Sequence, residues 1–374
     1  MNVRRVILLS TAAPDRPHGS MVRYGQMVCA ALRCVAPELA VETLDLAPTQ
    51  ARLERLPGRI QTPVRYLAIA AQARRLLRQP AGLLHLLDGS HAYFLQAVRN
   101  LRQPLVVTVH DLIPALRLRG ELGRGSPGLG GGWLVRQTLA GLARADAWIA
   151  DSQCTCHDLV RLAGVAASTV QRVNPAIQAA AAAGPAAPSA SPYILHVAGN
   201  NTFYKNRAGV IEIFRIIRQT ERINLKMAGA PPDAALLRKA ETSGVGNAIE
   251  FLPDLSEAQL AKLYRGAALL LFPSLYEGFG WPPLEAMGQG CPVVCSDAGS
   301  LPEIAGEAAL MAPPHDVVRL AHQAVQVLQD GGLRRRLVEA GFRRVREFTL
   351  EAMGAGIVQA YEAAEERYAR RRQP

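Results

Sequence analysis

The sequence is short of lysine, aromatic residues and long apolar runs, and the last two shortages each disfavour a class of protein. Lysine occurs four times beside 38 arginines, and Phe, Trp and Tyr together make up only 5% of the residues. With so few aromatic side chains and no motif for stacking bases, a nucleic-acid-binding protein is disfavoured. No stretch approaches the roughly 18 to 20 uninterrupted apolar residues that a transmembrane helix needs.

Patterns that bind metals are missing as well. The six cysteines form no Cys-x-x-Cys pair and have no histidine at zinc-ligand spacing, so no zinc site is predicted. We expect them to be buried free thiols of a cytoplasmic protein. No Asp-x-Asp triplet occurs, and we expect the protein to use neither a metal nor a cofactor.

Length and composition are those of a globular protein with two domains. The chain has 374 residues, which is too long for one typical core. Of these residues, 49% are apolar and 20% charged, as in a globular protein. Its start resembles a signal peptide only superficially, because the apolar run before Ser10 is about four residues long and Asp15 and Arg16 follow it. We interpret that run as a buried first strand.

Charge is distributed unevenly along the chain. Residues 1–178 hold 21 arginines, no lysine and 11 acidic residues, whereas the remainder holds 21 basic and 20 acidic residues. The first half is therefore basic and the second nearly neutral, which predicts that the first half meets an anionic partner. An anionic membrane surface or a diphosphate-bearing acceptor fits better than nucleic acid.

Short apolar runs alternate with amphipathic segments on both sides of an uncharged Ala/Pro/Ser tract at 179–191, which we interpret as a linker. The alternation predicts α/β domains at 1–178 and 192–349, each a doubly wound parallel sheet, followed by a charged helix at 350–374. The predicted strands before the linker are Val6–Leu9, Leu83–Leu87, Leu105–Val109, Ala147–Ala150 and Val170–Val173.

The most informative segment is Glu277–Met287. Glu277 and Glu285 are separated by a Gly-Phe-Gly turn and by a helix start with two prolines. The whole segment lies between predicted buried strands at Ala267–Phe272 and Cys291–Cys295. A glycine turn that leads into a helix N-terminus presents N–H groups and positive dipole to an anion. The two carboxylates are suited to accept hydrogen bonds from hydroxyls, so the segment predicts a site for a sugar nucleotide.

This segment resembles the Glu-x7-Glu signature of the family-4 retaining glycosyltransferases, and the likeness continues from Phe272 through Val294. Members of that family have the GT-B fold, in which two Rossmann-like domains face a cleft. The resemblance further implies that the first domain lies on the acceptor side, that the second binds the nucleotide sugar, and that the C-terminal helix returns to the first domain. A βα unit with solvated glutamates in an unrelated α/β protein is the alternative.

The resemblance also implies roles for individual residues. Lys205 corresponds to the lysine of the Arg…Lys pair that neutralises the donor diphosphate. Asn200 stands where that arginine is usual, so either Arg207 or a backbone group would substitute for it, or Lys205 would neutralise the diphosphate alone. His110, after the strand Leu105–Val109, corresponds to the histidine that contacts the transferred sugar.

The remaining implied contacts belong to the donor and acceptor sides. Glu277 would position the sugar hydroxyls, and Glu285 would accept a hydrogen bond from the ribose. The other donor-binding candidates are Gly19, Leu252, Pro253, Gly278, Phe279, Gly280, Trp281 and Leu284, and the acceptor-side candidates are Arg23 and Ser152.

The expected function is transfer of a hexose from a nucleotide sugar, GDP- or UDP-linked, to the hydroxyl of a sugar or lipid-linked sugar, with retention and without a metal. Mannose from GDP-mannose is the specific expectation, in bacterial polysaccharide or glycolipid assembly. Two alternatives remain open: a GT-B epimerase or phosphorylase, and an inactive GT-B binding subunit. The presence of Glu277, Glu285 and Lys205 argues against the inactive subunit, whereas Asn200 argues slightly for it.

One segment of the first domain predicts contact with a membrane. Residues 64–78 read as a basic amphipathic helix, the pattern of a segment that lies on anionic lipid at the cytoplasmic face. The alternative is an ordinary surface helix with a solvated basic face. If the membrane interpretation holds, the acceptor is a lipid-linked sugar diphosphate.

Overall fold

The chain forms two compact units in a computed structural model that describes residues 4–15, 19–76, 82–97, 101–123, 128–177, 192–199 and 203–372. The first unit comprises Met1–Ala176 and Thr349–Pro374, and the second comprises Ile177–Phe348. The predicted linker at 179–191 lies outside the described residues.

The first unit alternates strands and helices along the chain. Its elements before the second unit are β1 (Arg5–Ser10), α1 (Ser20–Val35), β2 (Ala40–Asp45), α2 (Gln50–Glu54), α3 (Gly58–Leu76), β3 (Leu83–Leu86), β4 (Leu105–Val109), α4 (Ile113–Leu118), α5 (Leu129–Leu142), β5 (Ala147–Ala150), α6 (Gln153–Ala163) and β6 (Val170–Arg172). The strands form one parallel sheet in the order β2-β1-β3-β4-β5-β6.

The second unit repeats this plan. Its elements are β7 (Tyr193–Ala198), α7 (Arg207–Ile217), β8 (Asn224–Gly229), α8 (Ala234–Thr242), β9 (Ile249–Leu252), α9 (Glu257–Gly266), β10 (Leu269–Phe272), α10 (Trp281–Gly288), β11 (Val293–Ser296), α11 (Leu301–Ala305), β12 (Ala309–Ala312), α12 (Val317–Gln329) and α13 (Gly331–Val345). These strands are also parallel, in the order β12-β11-β10-β7-β8-β9.

The prediction of two doubly wound parallel sheets is confirmed. Central strands such as β4 and β10 are fully buried and apolar except for Thr108 of β4, as expected where helices cover both faces of a sheet. β2 was not predicted, because this edge strand has no apolar run and its residues are mostly exposed. The sequence also predicts a helix at Ala92–Arg99, whereas the structure has a 3-10 helix at Gly89–Ala97; Arg99 lies outside the described residues.

The last helix, α14 (Leu350–Arg372), belongs to the first unit. Its face with Met353, Ile357 and Tyr361 is buried. Gly354 is needed where α14 meets α1, because a Cβ there would lie 2.5 Å from the carbonyl oxygen of Ala31.

The apolar residues of α3 do not share one face, as the predicted basic amphipathic helix would require. Ile69 and Ala73 are buried in the core of the first unit, whereas Leu67 is 70% exposed and therefore lies on the solvent side. Arg74 and Arg75 are exposed near the end of the helix, while Leu77 and Arg78 lie outside the described residues. No described helix is both long and apolar enough to cross a membrane.

All six cysteines are free thiols. Cys156, Cys291 and Cys295 are buried, as predicted, but Cys34 is exposed and Cys29 and Cys154 are half-buried. The prediction of buried thiols is therefore correct for half of them.

Candidate functional site

The loop that carries Glu277 is fixed by the loops on both sides of it. β7, β10 and β11 are neighbours in a parallel sheet, so the loops that follow them leave the same edge. The backbone N–H of Leu275 donates to the carbonyl of Tyr204 at 2.7 Å, and on the other side the N–H of Ser300 donates to the carbonyl of Glu277 at 3.0 Å. Glu277 is thus held by backbone hydrogen bonds from both neighbouring connections.

Lys205 and Glu277 form an ion pair at this edge. The Lys205 ammonium donates to both carboxylate oxygens of Glu277, each at 2.8 Å. Their side chains are only 14% and 8% exposed, so the pair is screened far less than a surface salt bridge. The structure therefore brings together two of the three predicted catalytic residues, in a direct contact that the sequence did not predict.

Gly299, which follows β11, makes this packing possible. Its φ is +61°, and a Cβ there would lie 2.5 Å from the carbonyl oxygen of Glu277 and 2.7 Å from its nitrogen. Only glycine tolerates both the left-handed backbone and this approach.

We expect Gly299→Ala to destabilise the second unit by about 1–3 kcal/mol and to displace Glu277, because strain at a left-handed position is added to a backbone clash. Urea denaturation measures the loss. Gly244→Ala is the matched control, because φ there is +74° but a Cβ would enter open space. Equal losses in the two variants would show that the contact with Glu277 is unimportant.

The N-terminus of α10 offers fewer donors than the sequence interpretation assumed. Gly280 caps the helix with φ +109°, and Trp281 is the first helical residue. Pro282 and Pro283 have no N–H, so the backbone donors at this end belong to the glycine turn and Trp281. The side chains of Phe279 and Leu284 are buried in the core, so a ligand contact by these two predicted residues would involve their backbone.

Glu285 lies on α10 and has a buried partner. The hydroxyl of Tyr264, which is only 2% exposed, donates to a Glu285 carboxylate oxygen at 3.0 Å. This hydrogen bond fixes the carboxylate without neutralising its charge, and a fixed carboxylate is a good acceptor for a ligand hydroxyl.

The remaining donor-side residues lie around the same edge. The Arg207 guanidinium is buried, lies 5.9 Å from the ring centroid of Phe251 and donates to the carbonyl of Pro231 at 3.5 Å. This places it against the connection after β8. Leu252 ends β9, the strand at the far edge of the sheet, and Pro253 follows it. Asn200 lies outside the described residues.

The third predicted catalytic residue, His110, lies in the first unit and bonds at both ring nitrogens. Nδ1 is 2.6 Å from an Asp151 carboxylate oxygen, and Nε2 is 2.9 Å from the carbonyl oxygen of Leu87. Both partners only accept, so the ring satisfies both as a doubly protonated imidazolium. Burial opposes that charge, but Asp151, with help from Asp88, outweighs it and raises the pKa of His110 to about 9.

A second histidine in this unit is held neutral. His85 is fully buried and bonds the hydroxyl of Tyr361 at 2.9 Å through Nδ1 and that of Thr108 at 2.8 Å through Nε2. Burial, together with the charge of His110, lowers the pKa of His85 to about 3. Thr108 also meets the hydroxyl of Tyr24, whose ring packs edge-on to His110 at 4.6 Å. The polar chain thus connects α14 to the surroundings of His110.

The other first-unit residues differ in their exposure. Gly19 caps α1 with φ +140° and is exposed, and Arg23 is half-buried on the first turn of that helix. Ser152 is completely buried and accepts the N–H of Thr155 at 3.0 Å as the cap of α6. Its contact is therefore structural, and Asp151 beside it is the residue that touches His110.

Sequence reasoning missed Asp151, Tyr264 and Gly299. Asp151 carried a usable signal, since it follows a buried strand adjacent to the strand that His110 follows, and parallel neighbours end at one edge. Tyr264 and Gly299 carried none, because each depends on packing between distant segments. Within the described residues, no group of three or more His, Cys, Asp or Glu is placed to hold a metal ion.

Two family models match consecutive parts of the chain. The model described as Glycosyltransferase Family 4 matches residues 30–180, and the one described as Glycosyl transferases group 1 matches residues 183–344. The chain belongs to the family-4 glycosyltransferases. Among curated relatives it is similar to O-antigen chain mannosyltransferase B of Escherichia coli, with 34% identity over 161 residues that make up 42% of each protein. The matched segments span less than half the length of such relatives.

Two solved structures that are similar to this chain have the same fold. Sucrose-phosphate synthase from Thermosynechococcus elongatus matches with a TM-score of 0.72 at 19% identity, over 96% of this chain and 98% of that one. Anabaena Alr3699/HepE in complex with UDP and glucose matches with a TM-score of 0.71 at 15% identity, over 96% and 100% of the chains. At these identities the likeness concerns the fold, and the predicted GT-B fold class is confirmed.

Proposed function

We propose that the protein transfers a hexose from a nucleoside diphosphate sugar to an acceptor hydroxyl, with retention at the anomeric carbon. The observation that carries this proposal is the ion pair of Lys205 with Glu277 beside the N-terminus of α10. A cation, a set of backbone N–H groups and a helix dipole suit a diphosphate, while Glu277 and Glu285 suit hydroxyls. This combination of contacts matches the two chemical ends of a sugar nucleotide.

In the proposed reaction the bond from the anomeric carbon to the diphosphate breaks, and the acceptor oxygen bonds to that carbon on the same face. The acceptor proton passes to the departing phosphate. Lys205 and the N–H groups of the Gly278–Trp281 turn stabilise the negative charge that develops on the leaving group. Glu277 orients the sugar, Glu285 holds the ribose, and His110 supplies the contact of the first unit to the sugar.

We assign mannose, carried by GDP, as the transferred sugar, in the assembly of a bacterial polysaccharide or glycolipid. The similarity to O-antigen chain mannosyltransferase B supports this assignment. UDP and glucose occupy the structural neighbour Alr3699/HepE, so a UDP-linked sugar is the alternative donor. The proposal includes no metal and no cofactor in either case.

A panel of GDP- and UDP-linked sugars tests the proposed function directly. We expect slow hydrolysis of one donor in the absence of acceptor, with release of the free nucleoside diphosphate and an α-configured sugar, and equal rates with and without EDTA. Release of the β-configured sugar would contradict retention, and loss of activity on chelation would contradict metal independence. No turnover and no binding of any donor would overturn the function and favour an inactive binding subunit.

We expect Glu285→Ala to weaken the binding of the donor, because the ribose would lose a charged acceptor that contributes roughly 1.5–3 kcal/mol. Isothermal titration calorimetry with the nucleoside diphosphate measures the change. Tyr264→Phe is the matched control, since it removes the neutral partner of Glu285 and keeps the carboxylate. Equal affinities of the wild type and Glu285→Ala would exclude the ribose contact.

The exposed face of α3 leads to a proposal about the acceptor. Leu67 and the arginines Arg74 and Arg75 are exposed on this helix, so it could contact anionic lipid and present a lipid-linked acceptor. We expect salt-sensitive co-sedimentation with anionic vesicles that weakens when Arg74, Arg75 and Arg78 are changed to Glu. Equal recovery with neutral and anionic vesicles at low salt would favour a soluble acceptor instead.

A further inference from the structure

A cavity of about 1160 Å³ opens in the first unit, away from His110. Its walls include Arg102 before β4, Arg144 and Asp146 before β5, and Thr169 before β6. Because the strands are parallel, the residues that precede them share one edge of the sheet, and His110, which follows β4, lies at the other. The cavity is therefore separate from the candidate functional site.

Arginine dominates the lining of this cavity. Five of the described residues that line it are arginines, and Asp146 is its single acidic residue. These arginines come from three parts of the chain: Arg102, Arg144 and the end of α14, namely Arg367, Arg371 and Arg372. Residues so far apart in sequence converge here only because α14 packs against the first unit.

Part of this charge stabilises the fold. Arg367 donates to the carbonyl of Asp146 at 2.6 Å and to that of Ser168 at 3.1 Å, and Arg371 pairs with the Asp146 carboxylate at 3.2 Å. These contacts hold the end of α14 against the sheet. They explain two of the arginines and use the one carboxylate that is present.

Arg102 and Arg372 have no acidic partner among the described residues of the lining. Arg102 is exposed, Arg144 is half-buried, and Arg372 donates to the neutral hydroxyl of Tyr368 at 3.0 Å. The C-termini of α5 and α6 lie nearby and together contribute about one negative charge from their dipoles. Asp146 and these helix ends therefore offset about two of the five arginine charges in the described lining.

We propose that this cavity is a second anion site, which binds a ligand that carries at least two phosphate groups or a phosphate-bearing lipid headgroup. Guanidinium groups bind phosphate oxygens through paired hydrogen bonds, and several on one wall favour several phosphate charges. The cavity has the volume of sites that hold whole organic ligands, so it admits the rest of a phosphorylated molecule. This site is independent of the proposed donor site at Lys205.

Binding of inorganic pyrophosphate, measured by calorimetry in low salt, tests the proposal. Lys205→Ala removes the cation of the donor site, so we expect pyrophosphate binding to remain in that variant. The double variant Arg102→Gln/Arg372→Gln, built on Lys205→Ala, should weaken it at least about ten-fold, because two charged donors are lost. Neither arginine is part of the contacts by which Arg367 and Arg371 hold α14, so the fold should survive.

Arg335→Gln/Arg336→Gln on the same background is the charge-matched control, because these two arginines are exposed on α13 in the second unit. A parallel sedimentation compares vesicles of phosphatidylcholine with an equal mixture of phosphatidylcholine and phosphatidylglycerol. Loss that is specific to the Arg102/Arg372 variant supports the site: with pyrophosphate it identifies a free phosphate ligand, and with vesicles alone a lipid headgroup. Equal loss in the control, or no binding in either assay, overturns the proposal whatever the outcome at the donor site.

Discussion

Lys205→Ala is expected to lower turnover at least about 100-fold, the loss typical when one preorganised stabiliser of developing charge is removed. The side chain is 14% exposed and already fixed on Glu277 at 2.8 Å, so little reorganisation is required when a donor binds. Donor affinity should fall less than turnover, because the charge on the leaving group grows during bond breaking. Steady-state kinetics with the best donor of the panel measures both quantities.

The same substitution also affects stability, and the two effects must be separated. Breaking a buried ion pair strands the partner charge at a cost of about 3–5 kcal/mol, and Glu277 is only 6% exposed. Lys205→Ala/Glu277→Gln removes the stranded charge, so we expect it to recover most of the stability and none of the turnover. A double variant with restored activity would show that Lys205 serves the fold alone.

Lys226→Ala is a matched control for this experiment. Lys226 lies on β8 and pairs at 3.2 Å with Glu250 on β9. The two side chains are 27% and 56% exposed. An exposed pair contributes at most about 1 kcal/mol, so this variant should keep nearly wild-type turnover and stability. Turnover of Lys205→Ala within a factor of about three of the wild type would contradict the role of the lysine in the reaction.

The sequence predicted the central strands well because their signal is local. Runs such as Leu105–Val109 and Leu269–Phe272 are apolar except for Thr108, which in an alternating α/β chain indicates a strand buried on both faces. β2 has no such signal, since its pairing with β1 is determined by the edge of the sheet and not by its own composition. Edge strands therefore escape this kind of prediction.

The candidate site could be predicted where chemistry follows chain order, and not where it depends on packing. Glu277 follows the predicted strand Ala267–Phe272 and Lys205 matches a diphosphate-binding lysine of the family, but their direct contact depends on side-chain directions that no spacing encodes. Phe279 is a case in which chain order does not reveal packing. It lies between two functional positions, yet its ring packs at 5.8 Å from those of Trp281 and Phe348 as part of the core.

Ionisation was the least predictable property of the site. The sequence places a histidine at position 110, but its charge depends on Asp151, 41 residues later, and on the carbonyl of Leu87. Nearby, His85 has the opposite state because it is buried among hydroxyl groups. Burial lowers the pKa of both histidines, but only His110 has carboxylates beside it, so its pKa is about 9 whereas that of His85 is about 3.

Asp151→Asn should convert His110 from an imidazolium into a neutral ring at neutral pH. The amide keeps the shape of the side chain but removes the charge that raises the pKa of His110 to about 9, while burial continues to lower it. We expect the midpoint to fall to 6.5 or below, which NMR of the ring protons measures directly. If the positive ring assists the reaction, the alkaline limb of the turnover profile should move down by the same two or more pH units.

The free energy of unfolding should also depend on pH, in a direction that follows from the raised pKa of His110. The pKa of His110 in the folded protein lies above its unfolded value of about 6.5. The pair with Asp151 therefore stabilises the wild type fully below pH 6.5, by about 3 kcal/mol. This contribution is lost as pH rises towards 9. In Asp151→Asn that slope should disappear. Asp158→Asn is the control, because Asp158 is also buried and pairs with Arg161 at 2.8 Å. A His110 midpoint that stays near 9 in Asp151→Asn would show that Asp151 does not hold the charge.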